Sequence, residues 1–228
     1  MTDRKAEIQN SYQMLGDGLS SFYDGLVTYS TPAGKIANTI MWGFDEESTA
    51  RWMNCAMSGI PEGFSGKLLE IPVGTGVLTM PLYKKLPDAD ITCMDYSGEM
   101  MKNASYRAEA LGIPNINFLQ GDVGNLPFED ETFDIVLSLN GFHAFPDKES
   151  AYRETYRVLK KGGTFCGCFY IQGQKKRTDL AVKSILVPNH SFTPPFETRD
   201  SLRERLNRMY SHVKMGNVWA EGVFCCQK

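Results

Sequence analysis

Between residues 67 and 171 short apolar runs alternate with stretches of helical spacing. Lys67–Pro72 (KLLEIP), Ile91–Asp95 (ITCMD), Ile116–Gln120, Phe133–Leu139 (FDIVLSL) and Thr164–Ile171 read as strands. Thr75–Leu86, Ser97–Leu111 and Asp147–Leu159 carry helical periodicity. Ser97 is placed to cap the second helix, and Pro81 inside the first predicts a kink or a shortened first turn. Lys160, Lys161, Gly162 and Gly163 read as a cationic, glycine-stopped end to the third. Strands separated by helices need crossover connections, which implies a parallel, doubly wound sheet.

The pattern changes after residue 172. A helix is expected near 178–186, a Pro-rich loop over Phe192–Phe196 and a helix over Asp200–Met209. Two strands follow, at Ser211–Asn217 and Val218–Cys226, whose short connection makes them antiparallel. The fold class is therefore α/β: a doubly wound, mainly parallel seven-stranded sheet with an antiparallel last strand. Residues 1–60 read as an N-terminal helical cap rich in Tyr, Met and Trp, in which Ile36, Ile40 and Met41 share one helical face. The turn formers at 58–66 mark a boundary, leaving 61–228 as the Rossmann-like domain.

Composition narrows the class. The chain has 228 residues, 42% hydrophobic and 22% charged, the balance of an ordinary globular domain. A net charge of −3 gives no overall basic footprint for nucleic acid or an anionic membrane. No apolar run reaches the ~20 residues of a membrane span, and the polar start MTDRKAEIQN is no signal-peptide core. The six cysteines form no C-x-x-C pair, so neither a zinc site nor a disulfide framework is expected. A cytoplasmic location follows as the expectation.

In such sheets ligands bind beyond the carboxyl ends of the strands, where strand order reverses. After the first strand come Glu70, Pro72, Gly74 and Gly76, a turn that lets a ligand approach the backbone at a helix start. Asp95 follows the second strand, 19 residues beyond Gly76, where a carboxylate can accept from a ribose diol. Either a nicotinamide dinucleotide or S-adenosylmethionine would suit that spacing. Thr79 fits poorly as the third small residue of a dinucleotide loop, and a pyrophosphate gains nothing from Glu70.

The run Glu70 to Gly76 resembles the first motif, acidic-x-G-x-G-x-G, of the class I S-adenosylmethionine-dependent methyltransferases. Asp95 to Met100 resembles their D-x-S-x-x-M motif. Gln120 to Phe128, Phe133 to Leu137 and Arg157 to Gly163 resemble three more, in order and spacing over residues 67–171. The small-molecule "type 11" group is the nearest in flavour. The resemblance implies that Glu70, Gly74 and Gly76 face the methionine end of the cofactor. Asp95 would take the ribose hydroxyls, with Tyr96 and Met100 against adenine. Asp122 and the Val123 backbone would meet the adenine amino group, and the Leu139–Asn140 backbone the methionine amine. Where the motif has its first glycine, Pro72 removes an N–H donor.

Transfer from a sulfonium needs alignment and exclusion of water; a base is needed only if the acceptor must lose a proton. His143, in the loop after the fourth strand, is the expected base. Phe142, Phe145 and Tyr170 are candidates for an aromatic wall, Tyr12, Tyr23 and Tyr29 for cap aromatics, and Trp42, Trp52 and Met53 for packing of cap on domain. Ser138 to Gly141 is no N-P-P-Y motif and no Pro-Cys dipeptide occurs, which argues against nucleic-acid methylation; no metal is expected. The reading is methyl transfer to a small, partly apolar acceptor, with S-adenosylhomocysteine as product. The alternatives are an NAD(P)-linked oxidoreductase and a cofactor-binding protein without transfer activity.

Overall fold

The computed structural model of the chain describes residues 24, 25 and 27–228. Seven strands form one sheet: β1 (Lys67–Glu70), β2 (Asp90–Asp95), β3 (Ile116–Gln120), β4 (Phe133–Leu139), β5 (Leu159–Tyr170), β6 (His212–Val218) and β7 (Glu221–Gln227). Their order is β3-β2-β1-β4-β5-β7-β6. From β3 through β5 every pairing is parallel; β7 runs antiparallel to both of its neighbours. Strand order reverses between β1 and β4, which opens a crevice beyond their carboxyl ends.

Helices cover both faces: α1 (Pro32–Met41), α2 (Glu46–Ala56), α3 (Met80–Tyr83), α4 (Gly98–Leu111), α5 (Lys148–Val158), α6 (Lys176–Ala181), running into a π-helical turn at Val182–Leu186, and α7 (Arg199–Met209). On one face Leu68, Ile91, Ile135 and Leu137 pack with Trp52 and Ala56 of α2 and with Ala104 and Ala108 of α4. On the other, Leu69, Val136 and Phe165 pack with Ala151 and Tyr152 of α5 and with Leu202 and Leu206 of α7. This two-sided burial explains why the strands are nearly continuous apolar runs.

Local chemistry sets the boundaries. The Ser97 hydroxyl accepts from the Met100 amide at 3.3 Å, and Gly112 ends α4 at φ +65°. Asp147 caps α5 through the Ser150 amide at 3.0 Å. The helix expected over Thr75–Leu86 contracts to Met80–Tyr83, because the glycine turn occupies the residues before it and Pro81 is tolerated only in a first turn. The expected glycine stop after α5 is also corrected. Leu159 goes straight to extended backbone at ψ 130° and pairs with Phe133. Lys160–Gly163 is then extra chain in β5, since the next partner of β4 in register is Thr164 opposite Ile135.

Trp52 is buried against the sheet, and Trp42 lies edge-on to Tyr170 at 6.0 Å, as expected for packing of the first helices onto the domain. Phe142 is core: its ring centre lies 4.3 Å from that of Tyr152, 5.1 Å from Phe145 and 5.4 Å from Phe169. Phe142→Ala is expected to lower stability by about 3–5 kcal/mol, read as an earlier denaturation midpoint at unchanged slope.

Candidate functional site

A cleft of about 1080 Å³, counted with its open mouth, sits at the switch point. Glu70, Gly74, Gly76, Asp95, Tyr96, Met100, Asp122, Val123, Leu139 and Asn140 all line it. They come from the last residues of β1, β2 and β4, the loops after β1 to β4 and the first turn of α4, which the parallel topology brings to one edge of the sheet.

Two glycines shape the first loop differently. Gly74 has φ +55°, and a Cβ there would meet nothing within 4 Å, so the backbone lies open to whatever fills the cleft. Gly76 has φ +69°, and its Cβ would press to 2.9 Å on Met80 and 3.1 Å on Ala104. The first glycine leaves room for a ligand; the second lets the loop close on α4.

Asp95 is buried, and its carboxylate oxygens accept from the Gly74 and Ser97 amides, each at 2.8 Å. Burial raises its pKa to about 6 against those bonds. A carboxylate offers about four lone-pair positions, so acceptor capacity remains for hydroxyl donors. Glu70 is buried too; its Oε2 accepts from the Tyr83 hydroxyl at 2.9 Å. Burial pushes Glu70 up to about 8, so it is neutral at pH 7 until a cation draws it back into ionisation.

Asp122 turns its own loop, accepting from the Gly124 amide at 2.9 Å, and Val123 beside it is buried. Met100 gives a buried apolar surface, and Tyr96 stays 39% exposed at the rim. Asn140 takes φ +56°, and its amide donates to the Cys168 carbonyl at 2.8 Å. Pro72, which follows a cis peptide bond, lines the cleft without an amide to offer. An open glycine backbone, a buried carboxylate with spare acceptor positions and an apolar flank suit a cofactor that joins a ribose diol, an adenine and a charged amino-acid tail.

Residues 68–163 match the family model described as a methyltransferase domain. Over these residues the chain is similar to methyltransferases of that description. It is 37% identical over 113 residues to a demethylmenaquinone methyltransferase of Thermus thermophilus, covering 50% of this chain and 51% of that one. It is 32% identical over 148 residues to a phosphatidylethanolamine N-methyltransferase of Cereibacter sphaeroides, covering 64% and 65%. The chain thus spans about half the length of the first and less than two thirds of the second. A solved S-adenosylmethionine-dependent methyltransferase of Thermotoga maritima shares the fold, with a TM-score of 0.65 at 19% identity over 96% of this chain and 99% of that one. The oxidoreductase alternative finds no support in these matches.

One expected residue stands apart from the cleft. His143 is buried outside the cleft lining, stacked on Phe192 with ring centres 3.8 Å apart. Its Nδ1 accepts the Tyr170 amide at 3.1 Å. Burial, then the Lys148 charge, lowers its pKa to about 3. Such an imidazole holds a transferred proton poorly at neutral pH, so position and chemistry both speak against the expected base. Its contacts instead tie the β4 loop to β5 and to the Phe192 loop. The His143 ring carbon resonances are expected to stay constant from roughly pH 5 to pH 8, where an ordinary imidazole titrates; a midpoint near 6.5 would restore the base reading.

The pattern gave no sign of Asp24. Its carboxylate accepts from the Thr75 hydroxyl at 2.6 Å and pairs with Arg107 at 2.7 Å. Thr75 and Val27 both line the cleft. The segment before α1 is thereby fastened to the glycine loop. A lone Asp in an unpatterned stretch carries no signal for this, because its partners lie 51 and 83 residues away. Of the expected cap aromatics, Tyr12 and Tyr23 lie outside the described residues; Tyr29 is not in the cleft wall, and its hydroxyl meets the Thr39 hydroxyl at 3.2 Å. Among the described residues no group of His, Cys, Asp and Glu is arranged to hold a metal ion.

Proposed function

We propose that the protein transfers the methyl group of S-adenosylmethionine to a small, partly apolar acceptor. One observation carries the reading: ten residues named from motif position line a single cleft at the switch point. In this reading Asp95 accepts from the ribose hydroxyls, and the Gly74 backbone lies along the cofactor. Met100 and Tyr96 flank the adenine, and Asp122 with the Val123 amide reads its edge. The Leu139–Asn140 backbone and Glu70 hold the cationic amino-acid end. Bound there, the cofactor supplies an activated methyl group on sulfur. The chain's residues align donor and acceptor and keep water out, which in favourable models contributes up to about 7–11 kcal/mol.

The segment 1–60 acts in this proposal as a cap over the cofactor, anchored by Asp24, on the domain formed by 61–228. Two particulars support the apolar acceptor. Phe145, Pro146 and Ala144 line the cleft after β4. Among the matched relatives, names include a demethylmenaquinone methyltransferase and a phytyl-hydroquinone methyltransferase. A ring carbon or hydroxyl of a phenol or hydroquinone is the acceptor to try first. The location fits the cytoplasm, and among the described residues no helix is long and apolar enough to cross a membrane.

Isothermal titration with S-adenosylmethionine, S-adenosylhomocysteine and NADH tests the cofactor. Micromolar binding of the first two and none of the third is expected; the reverse would replace the reading with the oxidoreductase. A phenol and hydroquinone panel assayed by mass spectrometry for an added methyl group then tests transfer. Binding without turnover on any acceptor would favour a cofactor-binding protein.

A further inference from the structure

Helices α1 and α6 are built inside out. The buried residues of α1 are Gly34 and Asn38, whereas Ile36 and Ile40 are 62% and 60% exposed. In α6 the buried residue is Thr178, and Leu180 is 65% exposed. The π-helical turn that follows buries Val182 and leaves Ile185 half out. An ordinary surface helix turns its apolar stripe inward. Here, among the described residues, the stripe faces outward.

The two helices are held together by side chains reaching backbone carbonyls, which leaves those apolar groups unused. Arg177 Nη2 donates to the Thr39 carbonyl at 2.7 Å, and the Thr178 hydroxyl to the Met41 carbonyl at 2.8 Å. The turn between β6 and β7 joins them: Lys175 Nζ lies 4.1 Å from the ring centre of Trp219, which is 47% exposed. Among the described residues, eight large apolar side chains stay well exposed, and five of them belong to these three segments. Such concentration marks an interaction surface, since single exposed apolar residues scatter.

The charge within the two helical segments is one-sided. Lys35, Lys175, Lys176, Arg177 and Lys183 come from the same two helical segments, against one acidic residue, Asp179. That carboxylate is occupied by the Tyr170 hydroxyl at 2.6 Å and the Gly173 amide. The chain's net charge of −3 conceals this local excess. Isoleucine, leucine and tryptophan interleaved with lysines are the composition of a helix face that lies in a lipid headgroup layer, with apolar groups inserted and ammonium heads at the phosphates.

We propose that the face formed by α1, α6 and the Trp219 turn docks onto the surface of an anionic phospholipid bilayer. The docking does not rest on the methyl-transfer reading, although a partly apolar acceptor would be met at such a surface. Full-length protein is sedimented with vesicles of phosphatidylcholine alone and of phosphatidylcholine with phosphatidylglycerol. Binding to the mixed vesicles only, weakening with salt, is expected. Lys176→Glu with Lys183→Glu should weaken it at least about tenfold, and Ile36→Ser with Ile40→Ser should reduce it at low salt. Both variants should keep the wild-type melting temperature, and the lysine pair, which lies outside the cap, should keep the cofactor affinity. Absence of wild-type binding, or equal binding by all variants, overturns the proposal. So does a serine variant that melts early without any vesicle binding, since the face would then be packed within the protein. A dimer dispersed by the serine changes, with vesicles ignored, would assign the face to a second copy.

Discussion

Asp95→Ala is expected to weaken S-adenosylmethionine binding by at least about a hundredfold while the fold stands. Two hydrogen bonds from a diol to a carboxylate are worth roughly 3–6 kcal/mol together, and each 1.4 kcal/mol is about a factor of ten in affinity. The fold survives because Asp95 joins no apolar cluster; the change frees the Gly74 and Ser97 amides at the edge of an open cleft. Isothermal titration beside a thermal melt separates the two effects. Retained affinity would sink the site assignment.

A pH series on the unmodified protein tests the same carboxyl. Burial holds Asp95 protonated up to about pH 6, and a protonated carboxyl has lost acceptor capacity for the diol. The sign follows: through Asp95 affinity falls about tenfold per unit below pH 6, in addition to the decline below about pH 8 that the required ionisation of Glu70 imposes. Asp95→Ala should abolish the Asp95 dependence along with most of the binding.

Gly167→Ala is expected to cost about 4 kcal/mol or more, and to leave little folded protein. Gly167 sits in β5 opposite Ser138 at φ +152°, and a Cβ there would lie 1.9 Å from the Ser138 carbonyl oxygen. That oxygen is backbone inside the sheet and has no flexible end to swing aside. Relief requires β4 and β5 to part, and β4 runs directly into Leu139 and Asn140 of the cleft wall. Circular dichroism melts and soluble yield read the outcome; a variant melting within a few degrees of wild type would refute the clash.

The inner parallel strands were legible because burial on both faces turns each into an apolar run, as in β4, which falls where the pattern puts it; β3 also has its expected bounds, although it is a largely exposed edge strand. Asp95, Asp122 and the glycine pair were legible because their positions after strands are set by topology, and topology is local in sequence. What was hidden depends on distant partners. Lys160 to Gly163 has the composition of a helix stop, yet Leu159 leaves α5 to pair with Phe133, a choice made by the neighbouring strand. His143 has an imidazole suited to proton transfer, and only Phe192 and the Tyr170 amide turn it into a neutral strut. Ile36 and Ile40 do share a helical face, but periodicity alone gives no direction for that face.

The placement of β7 sets a timetable for the sheet. β5 gains β4 as soon as both have been made, but its other neighbour is residues 221–227, synthesised after α6, α7 and β6. Throughout that interval the nascent chain carries an open strand edge with the sequence Thr-Phe-Cys-Gly-Cys-Phe-Tyr, free of charge and rich in β-formers. The strand that covers this edge therefore leaves the ribosome after the other six strands of the sheet. A fragment ending between Gln172 and Ala220 keeps that edge open, so it is expected to aggregate on expression even though every motif of the cleft is present in it.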